Sequence, residues 1–222
     1  EPLRKIKTFA SRIKDVGYSP VRSEEFMEKI IGSANKMQSL IENLLAFSQV
    51  SNDESTFETV NLNEVLDSVK NDLELLISEK QAVIKCDKLP VITGVNFQMH
   101  QLFLNLISNA IKFAREGEPP YIEINAQTLK GPEVPTLESD AQSNNYYFIT
   151  VSDRGIGFPQ EHADKIFEAF HRLNKKGPIA GSGIGLAIVK RIVENHNGII
   201  SAEGAPGEGA VFNMYFPLEN NN

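Results

Sequence analysis

Residues 101–113 of this chain read QLFLNLISNAIKF. Their apolar members lie on several sides of a helix with 3.6 residues per turn, which predicts a helix that is mostly buried. One face is polar, because its residues recur at steps of three and four: Gln101, Asn105, Ser108, Asn109 and Lys112. This face is either a plain solvated stripe or a binding surface. Asn forms helices poorly, and two amide side chains followed by a lysine suit a metal ion and a phosphate.

The composition is that of an ordinary globular protein. The 222 residues are 41% hydrophobic and 23% charged, enough for one large domain or two small ones. The net charge of -7 argues against a nucleic-acid partner, because phosphate backbones require a basic surface. The single cysteine, Cys86, excludes an internal disulfide and favours a reducing, cytoplasmic compartment. No apolar run is long enough to cross a bilayer, so no membrane contact of this piece is expected.

Residues 1–50 are predicted to form a two-helix hairpin, and the polar break at 51–55 is the predicted domain boundary. The first helix is expected from Leu3 to about Val16, ending before Pro20, and the second from about Ser23. Apolar residues of the second helix follow a heptad seam: Met27, Ile30, Ala34, Met37, Ile41 and Leu44. This surface exceeds what two helices bury on each other, which predicts a homodimer built as a four-helix bundle. Packing on the downstream domain is the alternative.

Residues 56–219 are predicted to form a second domain, an α/β sandwich with helices on one face of a mixed sheet, so the overall class is α+β. Besides residues 101–113, helices are predicted from Asn61 through Ile77, at Gln160–Phe170 and at Ile184–His196; Asn61 has capping-box spacing to Glu64. Strands are predicted at 57–60, 82–86, 91–93, 121–126, 146–151, 199–203 and 210–216. Residues 129–145 are predicted to be a long mobile insertion.

Two glycine clusters flank the helix predicted at 160–170. DRGIG at 153–157 follows a strand, and GSGIGL at 181–186 precedes a helix. Glycine lets backbone amides approach a ligand, and a helix N-terminus attracts phosphate. No G-x-x-x-x-G-K-[ST] motif is present, which excludes a P-loop, and the second cluster lacks the preceding strand of a dinucleotide fingerprint. Taken singly, each cluster is also compatible with a flexible turn.

Taken in order, these elements resemble the ATP-binding domain of histidine kinases. Residues 105–112 resemble the N-box, 153–157 the first glycine box, 167–170 the phenylalanine box, 181–186 the second glycine box and 207–212 the final glycine-containing element. The resemblance covers about residues 61–217 and implies an α/β sandwich of the histidine-kinase ATPase (Bergerat) type. Upstream, residues 1–6 resemble the end of the phosphoacceptor box, and the hairpin resembles the dimerisation and phosphotransfer domain of the family.

The resemblance implies ATP and Mg²⁺ as ligands and assigns roles to matched residues. Asn109 would bind Mg²⁺ through its amide oxygen, Lys112 would contact the phosphates, and Asp153 would accept a hydrogen bond from the adenine amino group. Arg172, in a lid at 171–180, would reach the γ-phosphate as charge develops during transfer. The other residues assigned to the nucleotide are Phe113, Gly155, Ile156, Gly157, Gly181, Gly183, Ile184, Gly185 and Leu186.

Asn105 bears on the type of reaction. Related ATPases such as gyrase carry Glu at this position as the general base for water, and an amide cannot take a proton. Phosphoryl transfer to a protein histidine, and then to an aspartate of a response-regulator receiver domain, is therefore favoured over ATP hydrolysis. The third alternative is a non-catalytic dimerising module, and the matched metal, adenine and glycine positions argue against it.

The chain begins at Glu1 without a methionine and is expected to be a piece of a longer protein. The family's acceptor histidine would lie upstream of Glu1, so this piece is expected to bind ATP but not to phosphorylate itself. The histidines present match no metal-ligand spacing, and three of them, His162, His171 and His196, are predicted to be surface or lid residues. Cys86 lies within a predicted strand and is expected in the core.

Overall fold

The computed structural model describes residues 2–15, 23–34, 37–38, 41, 56–131, 134, 145–173 and 183–218. The chain divides into two compact units, with the main boundary between residues 49 and 50. Helix α1 (Pro2–Asp15) and helix α2 (residues 23–34) belong to the first unit. The other elements described below belong to the second.

The first unit contains the predicted pair of helices. Phe9 of α1 stacks on Phe26 of α2, with their ring centroids 5.8 Å apart. The ammonium of Lys29 lies 5.7 Å from the Phe9 ring and 6.0 Å from the Phe26 ring, so a cation covers the stacked pair. Residues 37–38 and 41 are also helical, and they include Met37 and Ile41 of the predicted seam. The predicted turn at 17–20 and the seam beyond residue 41 lie outside the described residues.

The second unit contains two sheets. Strand β1 (Glu58–Asn61) pairs antiparallel with β3 (Val91–Gly94). The larger sheet has five strands in the order β2-β4-β5-β7-β6: β2 (Val83–Cys86), β4 (Tyr121–Lys130), β5 (Asn145–Asp153), β6 (Ile199–Ala205) and β7 (Gly209–Pro217). The β2–β4 pair is parallel and the other pairs are antiparallel, so the larger sheet is mixed. Helices and a mixed sheet confirm the predicted α+β class.

Four helices of the second unit pack on one another and on these sheets: α3 (Leu62–Asp72), α4 (Glu74–Lys80), α5 (Asn96–Lys112) and α6 (Gly185–Asn195). Asn61 caps α3, since its side-chain oxygen accepts from the Asn63 N–H at 3.1 Å. The Asn61 side-chain nitrogen also donates to the Glu64 carboxylate at 2.8 Å. The two residues with capping-box spacing are therefore bonded to each other through their side chains. The single helix predicted to run through Ile77 is instead two helices, because Leu73 leaves the helical conformation.

Helix α5 contains the opening stretch, and its burial follows the predicted pattern. The five residues of the polar stripe are half-buried. Buried apolar residues occupy the other sides: Leu102, Phe103, Leu106, Ile107, Ala110 and Ile111. The polar stripe interrupts the apolar surface of α5. Among the described residues, no helix is both long enough and apolar enough to cross a membrane.

The helix predicted at 160–170 is wrong. The structure has two three-residue 3₁₀ turns there: Gln160–His162 and Lys165–Phe167. The Gln160 amide instead pairs with the edge strand β6, donating to the Ala202 carbonyl oxygen at 3.2 Å and accepting from the Gly204 N–H at 2.9 Å. This attachment to the sheet overrides the local helical preference.

Two further expectations are corrected at the sheet. Cys86 is exposed rather than in the core, because β2 is an edge strand, and its thiol donates to the Asp87 carbonyl oxygen at 2.9 Å. The predicted insertion is shorter than 129–145, since β4 continues to Lys130 and β5 begins at Asn145. Val134 of this segment is buried in a cluster with Tyr146 and Tyr215. Residues 132–133 and 135–144 lie outside the described residues.

Candidate functional site

The N-terminus of α6 meets the polar stripe of α5. A Cβ added at Gly185, the first residue of α6, would lie 3.0 Å from the Asn105 side-chain oxygen and 3.8 Å from the Asn109 side-chain nitrogen. Asn105 is held in place by its own amide, which donates to the Gln101 carbonyl oxygen at 2.9 Å. Glycine therefore lets a helix N-terminus, which attracts anions, approach the two amide side chains.

The end of α5 supports the first glycine cluster. The Phe113 carbonyl oxygen accepts a hydrogen bond from the Ile156 N–H at 2.9 Å. A Cβ at Gly155 would come within 2.4 Å of the same oxygen, so this position requires glycine. Lys112 precedes Phe113, and its ammonium lies 5.2 Å from the Phe113 ring centroid. Residues predicted from two distant motifs are thus brought together.

Asp153 ends strand β5 at this cluster. One of its carboxylate oxygens accepts from the Gly155 N–H at 2.8 Å. Burial raises the pKa of Asp153 above its ordinary value of 3.8, and hydrogen bonds from the backbone N–H groups of Gly155 and Ala210 oppose that rise. The Asp153 carboxylate is therefore a half-buried acceptor at the C-terminal end of β5, and backbone hydrogen bonds fix its orientation.

The turn between β6 and β7 holds the glycine cluster from the other side. The Gly207 N–H donates to the Ile156 carbonyl oxygen at 2.8 Å. Gly157 has φ +61°, and a Cβ there would come within 2.0 Å of the Ala205 carbonyl oxygen. A Cβ at Gly209 would come within 1.9 Å of the Asp153 carbonyl oxygen. The backbone approaches are too close for any side chain, so the turn and the cluster form one rigid unit.

The second glycine cluster is described from Gly183 onward. Gly183 has φ +73°, and a Cβ there would lie 2.8 Å from the His171 carbonyl oxygen and 3.1 Å from Cγ of Arg172. The predicted lid residue Arg172 therefore lies beside the glycine cluster. Ile184 is buried and Leu186 is half-buried. Gly181 and the lid residues 174–180 lie outside the described residues.

Comparison with known proteins agrees with this geometry. Residues 94–220, more than half of the chain, match the family described as histidine kinase-, DNA gyrase B-, and HSP90-like ATPase. The chain belongs to this ATPase family. The matched residues include the stripe of α5, both glycine clusters and Asp153. They are homologous to the catalytic domains of sensor histidine kinases.

The chain spans less than half the length of the curated relatives described below. The chain is 34% identical over 221 residues to cyanobacterial phytochrome A of Nostoc sp. strain PCC 7120, covering 98% of this chain and 27% of that protein. It is 30% identical over 224 residues to sensor histidine kinase YkoH of Bacillus subtilis strain 168, covering 99% of this chain and 45% of that protein. The solved structure of histidine kinase ThkA in complex with response regulator protein TrrA has a TM-score of 0.70 at 22% identity, covering 98% of this chain and 57% of that one.

The residues of this ATPase-family site fit a nucleotide with a hard divalent cation. Asn109 offers an amide oxygen, α6 offers the backbone N–H groups of its N-terminus, and Asp153 offers a fixed acceptor. In the described part of the chain, no group of three or more His, Cys, Asp or Glu side chains is placed to hold a metal ion. A magnesium ion here would rely on the amide, phosphate oxygens and water, which is its usual environment beside a nucleotide.

Two features of the family site were not predicted. Arg115 donates through Nε to the Gly155 carbonyl oxygen at 3.3 Å, and no spacing rule indicates this contact. His196, predicted to be a surface or lid residue, is buried with 5% of its surface exposed. A sequence signal for His196 did exist, because it follows Ile188 and Ile192 at four-residue steps on the buried face of α6.

Proposed function

We propose that this chain is the kinase module of a two-component signalling protein. It binds ATP and Mg²⁺ and transfers the γ-phosphoryl group to a histidine upstream of residue 1. A response-regulator aspartate then receives the phosphoryl group. The observation that carries the proposal is the approach of Gly185 to Asn105 and Asn109, since it brings a phosphate-binding helix end and two amide ligands to one place.

Each residue of the site has a part in this proposal. Asn109 holds Mg²⁺, and Lys112 and the N-terminus of α6 bind the phosphates. Asp153 accepts from the adenine amino group, while Gly155 and Gly157 let the backbone approach the base. Arg172, beside Gly183, stabilises charge that develops on the γ-phosphate during transfer. Magnesium supplies charge neutralisation across the phosphates when it is bound.

Asn105 favours transfer over hydrolysis. Its amide is bonded to the Gln101 carbonyl oxygen and cannot act as a base toward water. An ATP hydrolase of the same superfamily is the alternative function. It predicts steady phosphate release from the full-length protein with no phosphohistidine formed.

The partners in this proposal are a second copy of the chain and a receiver domain. Large apolar side chains of the first unit are half exposed: Leu3, Met27, Ile31 and Ile41. A second hairpin would cover them as a four-helix bundle, with residues 1–50 as the dimerisation domain and 56–219 as the catalytic domain. The receiver-domain partner is supported by the likeness to ThkA, whose structure contains a response regulator.

Radiolabelling tests the transfer step. The chain extended upstream to include the acceptor histidine is expected to gain acid-labile label from γ-labelled ATP, whereas the chain of residues 1–222 is expected to bind Mg-ATP in calorimetry and gain no label. All four histidines of the chain lie beyond residue 99 and therefore outside the proposed phosphotransfer hairpin of residues 1–50. Acid-labile label on residues 1–222 would contradict the proposed acceptor. Absence of Mg-ATP binding would instead support a non-catalytic module.

Sedimentation tests the dimer. Ile31→Lys places a charge on the exposed apolar face of α2 and is expected to convert a dimer into a monomer. Leu75→Lys is the matched control, because Leu75 is 79% exposed on α4 of the second unit. A dimer unaffected by Ile31→Lys would place the interface elsewhere.

A further inference from the structure

Helices α5 and α6 are joined at both ends. Gly185, at the start of α6, meets Asn105 and Asn109 in the second half of α5. Asn195 and His196, at the end of α6, bond to residues at the start of α5. The helices are therefore antiparallel. With a rise of about 1.5 Å per residue, the two contacts lie about 15 Å apart along each helix.

His196 bonds to a residue 101 positions earlier in the chain. Its Nε2 accepts from the Val95 N–H at 3.0 Å, and Val95 is the residue that caps α5. Its Nδ1 lies 2.7 Å from the Ile192 carbonyl oxygen. The ring can accept at Nε2 only if it is neutral and carries its proton on Nδ1, so Nδ1 donates to Ile192. One tautomer satisfies both contacts.

The surroundings leave the His196 ring a single position. The Phe57 ring lies 4.9 Å away and the Phe216 ring 6.2 Å away, measured between centroids. Gly94 lies beneath the ring, where a Cβ would be 2.9 Å from both Cδ2 and Nε2. The glycine leaves space that the imidazole fills. The ring is therefore enclosed by aromatic groups and by the backbone that leads into α5.

Asn195 adds a second bond between the same ends. Its amide nitrogen donates to the Gln98 side-chain oxygen at 2.8 Å. Gln98 is a polar residue with only 2% of its surface exposed. Two neighbouring residues at the end of α6 thus bond to two positions one turn apart on α5. Such a pair of bonds specifies one register between two helices, which apolar packing specifies less strictly.

We propose that His196 and Asn195 are positioning residues for nucleotide binding. They set the register of α6 on α5 and so bring the Gly185 backbone to Asn105 and Asn109. A slip of one residue moves a helix by about 1.5 Å and turns it by about 100°, which would remove the approach at Gly185. The inference rests on the proposed function, because it treats that approach as part of the nucleotide site.

Two substitutions of His196 separate positioning from packing. The Gln side chain of His196→Gln extends to the Nε2 position and keeps an acceptor for the Val95 N–H. His196→Asn ends at the Nδ1 position, so it keeps a donor for Ile192 and loses the bond to Val95. We expect the Mg-ATP dissociation constant to rise about tenfold for His196→Asn and less than about threefold for His196→Gln. Calorimetry is done at a temperature where circular dichroism shows both variants fully folded.

A third variant tests the second bond. Gln98→Met keeps the volume of the side chain but removes the acceptor for Asn195, and we expect the dissociation constant to rise by about three- to tenfold. If His196→Asn and His196→Gln weaken binding equally, or if neither changes it, the positioning role is overturned. A wild-type chain that does not bind Mg-ATP overturns the proposed function, and this inference with it.

Discussion

The carbonyl oxygen of Phe113 lies against the backbone of Gly155, where an added Cβ would come within 2.4 Å of it. The same oxygen accepts the Ile156 N–H at 2.9 Å. Through this one atom, the end of α5 fixes the loop that follows Asp153. The amide stripe and the first glycine cluster, 40 residues apart in sequence, are therefore parts of a single site.

Gly155→Ala should weaken nucleotide binding strongly. The methyl group would push the loop away from Phe113 and break the Ile156 bond, because the close neighbour is backbone and cannot rotate aside. Overpacking of this kind costs about 1–3 kcal/mol, so we expect the Mg-ATP dissociation constant to rise by about five- to 150-fold in calorimetry. Gly32→Ala is the control, since nothing lies within 4 Å of its added Cβ. Equal affinity of both variants would show that the loop tolerates the shift.

Asp153→Asn should weaken binding without unfolding the domain. An amide would lose the proposed charged hydrogen bond to the adenine amino group. Such a bond is worth about 1.5–3 kcal/mol, so the dissociation constant for ATP should rise by about ten- to a hundredfold. Burial raises the pKa of Asp153, so removing its charge should not lower the free energy of unfolding much. Asp164→Asn makes the same chemical change at an exposed position and should leave binding unchanged. A GTP affinity that fell in parallel with the ATP affinity would argue against a bond to the adenine amino group.

The two main site helices could be predicted from sequence because their signals are local. Helix α6 shows apolar residues at three- and four-residue steps and ends before Asn197-Gly198, and the structure has α6 at Gly185–Asn195. The stripe of α5 follows from spacing alone. The structure shows all its members half-buried, whereas the spacing left both a solvated stripe and a binding surface open. Periodicity and capping depend on neighbours within one or two turns, which a sequence displays directly.

The missed features depend on partners that are distant in the chain. Gln160 pairs with β6, more than 40 residues later, so its segment forms short turns instead of a helix. Position 209 must be glycine because the Asp153 carbonyl oxygen occupies the space of a side chain, and no local sequence pattern indicates this contact. His196 was misassigned because histidine is usually only partly buried, and the bond that makes burial favourable comes from Val95, 101 residues earlier.

Phe170 should tolerate glycine better than valine. Its backbone has φ +65°, and 66% of the surface of the residue is exposed, so burial of its ring contributes little. Left-handed backbone costs residues with a Cβ about 1–2 kcal/mol, while glycine costs about 0.5–1 kcal/mol through the freedom of the unfolded chain. Urea unfolding should show Phe170→Gly within about 1 kcal/mol of wild type. Phe170→Val should be less stable than Phe170→Gly, because β-branched residues are least suited to positive φ. The reverse order would mean that packing of the ring outweighs backbone strain.

Acidification should destabilise the second unit through His196. Burial lowers the pKa of His196 below its ordinary value of 6.5, and the bond to the Ile192 carbonyl oxygen opposes that shift only partly. The unfolded chain therefore binds this proton more readily than the folded chain. Neutral His196 therefore contributes fully to the free energy of unfolding above pH 6.5. This contribution decreases as the pH falls from 6.5 through the lowered pKa of His196. The slope from one such group is at most about 1.4 kcal/mol per pH unit.

Urea unfolding of wild type and His196→Gln at several pH values between about 7.5 and 5 measures this contribution. His196→Gln cannot titrate, so its free energy of unfolding should fall less than that of wild type as the pH decreases. The comparison cancels the contribution of Asp153, whose raised pKa acts in the opposite direction. Parallel pH profiles for the two proteins would show that protonation of His196 is not linked to unfolding. A steeper fall for wild type confined to pH values below 6.5 is the expected signature of a neutral imidazole that holds the start of α5.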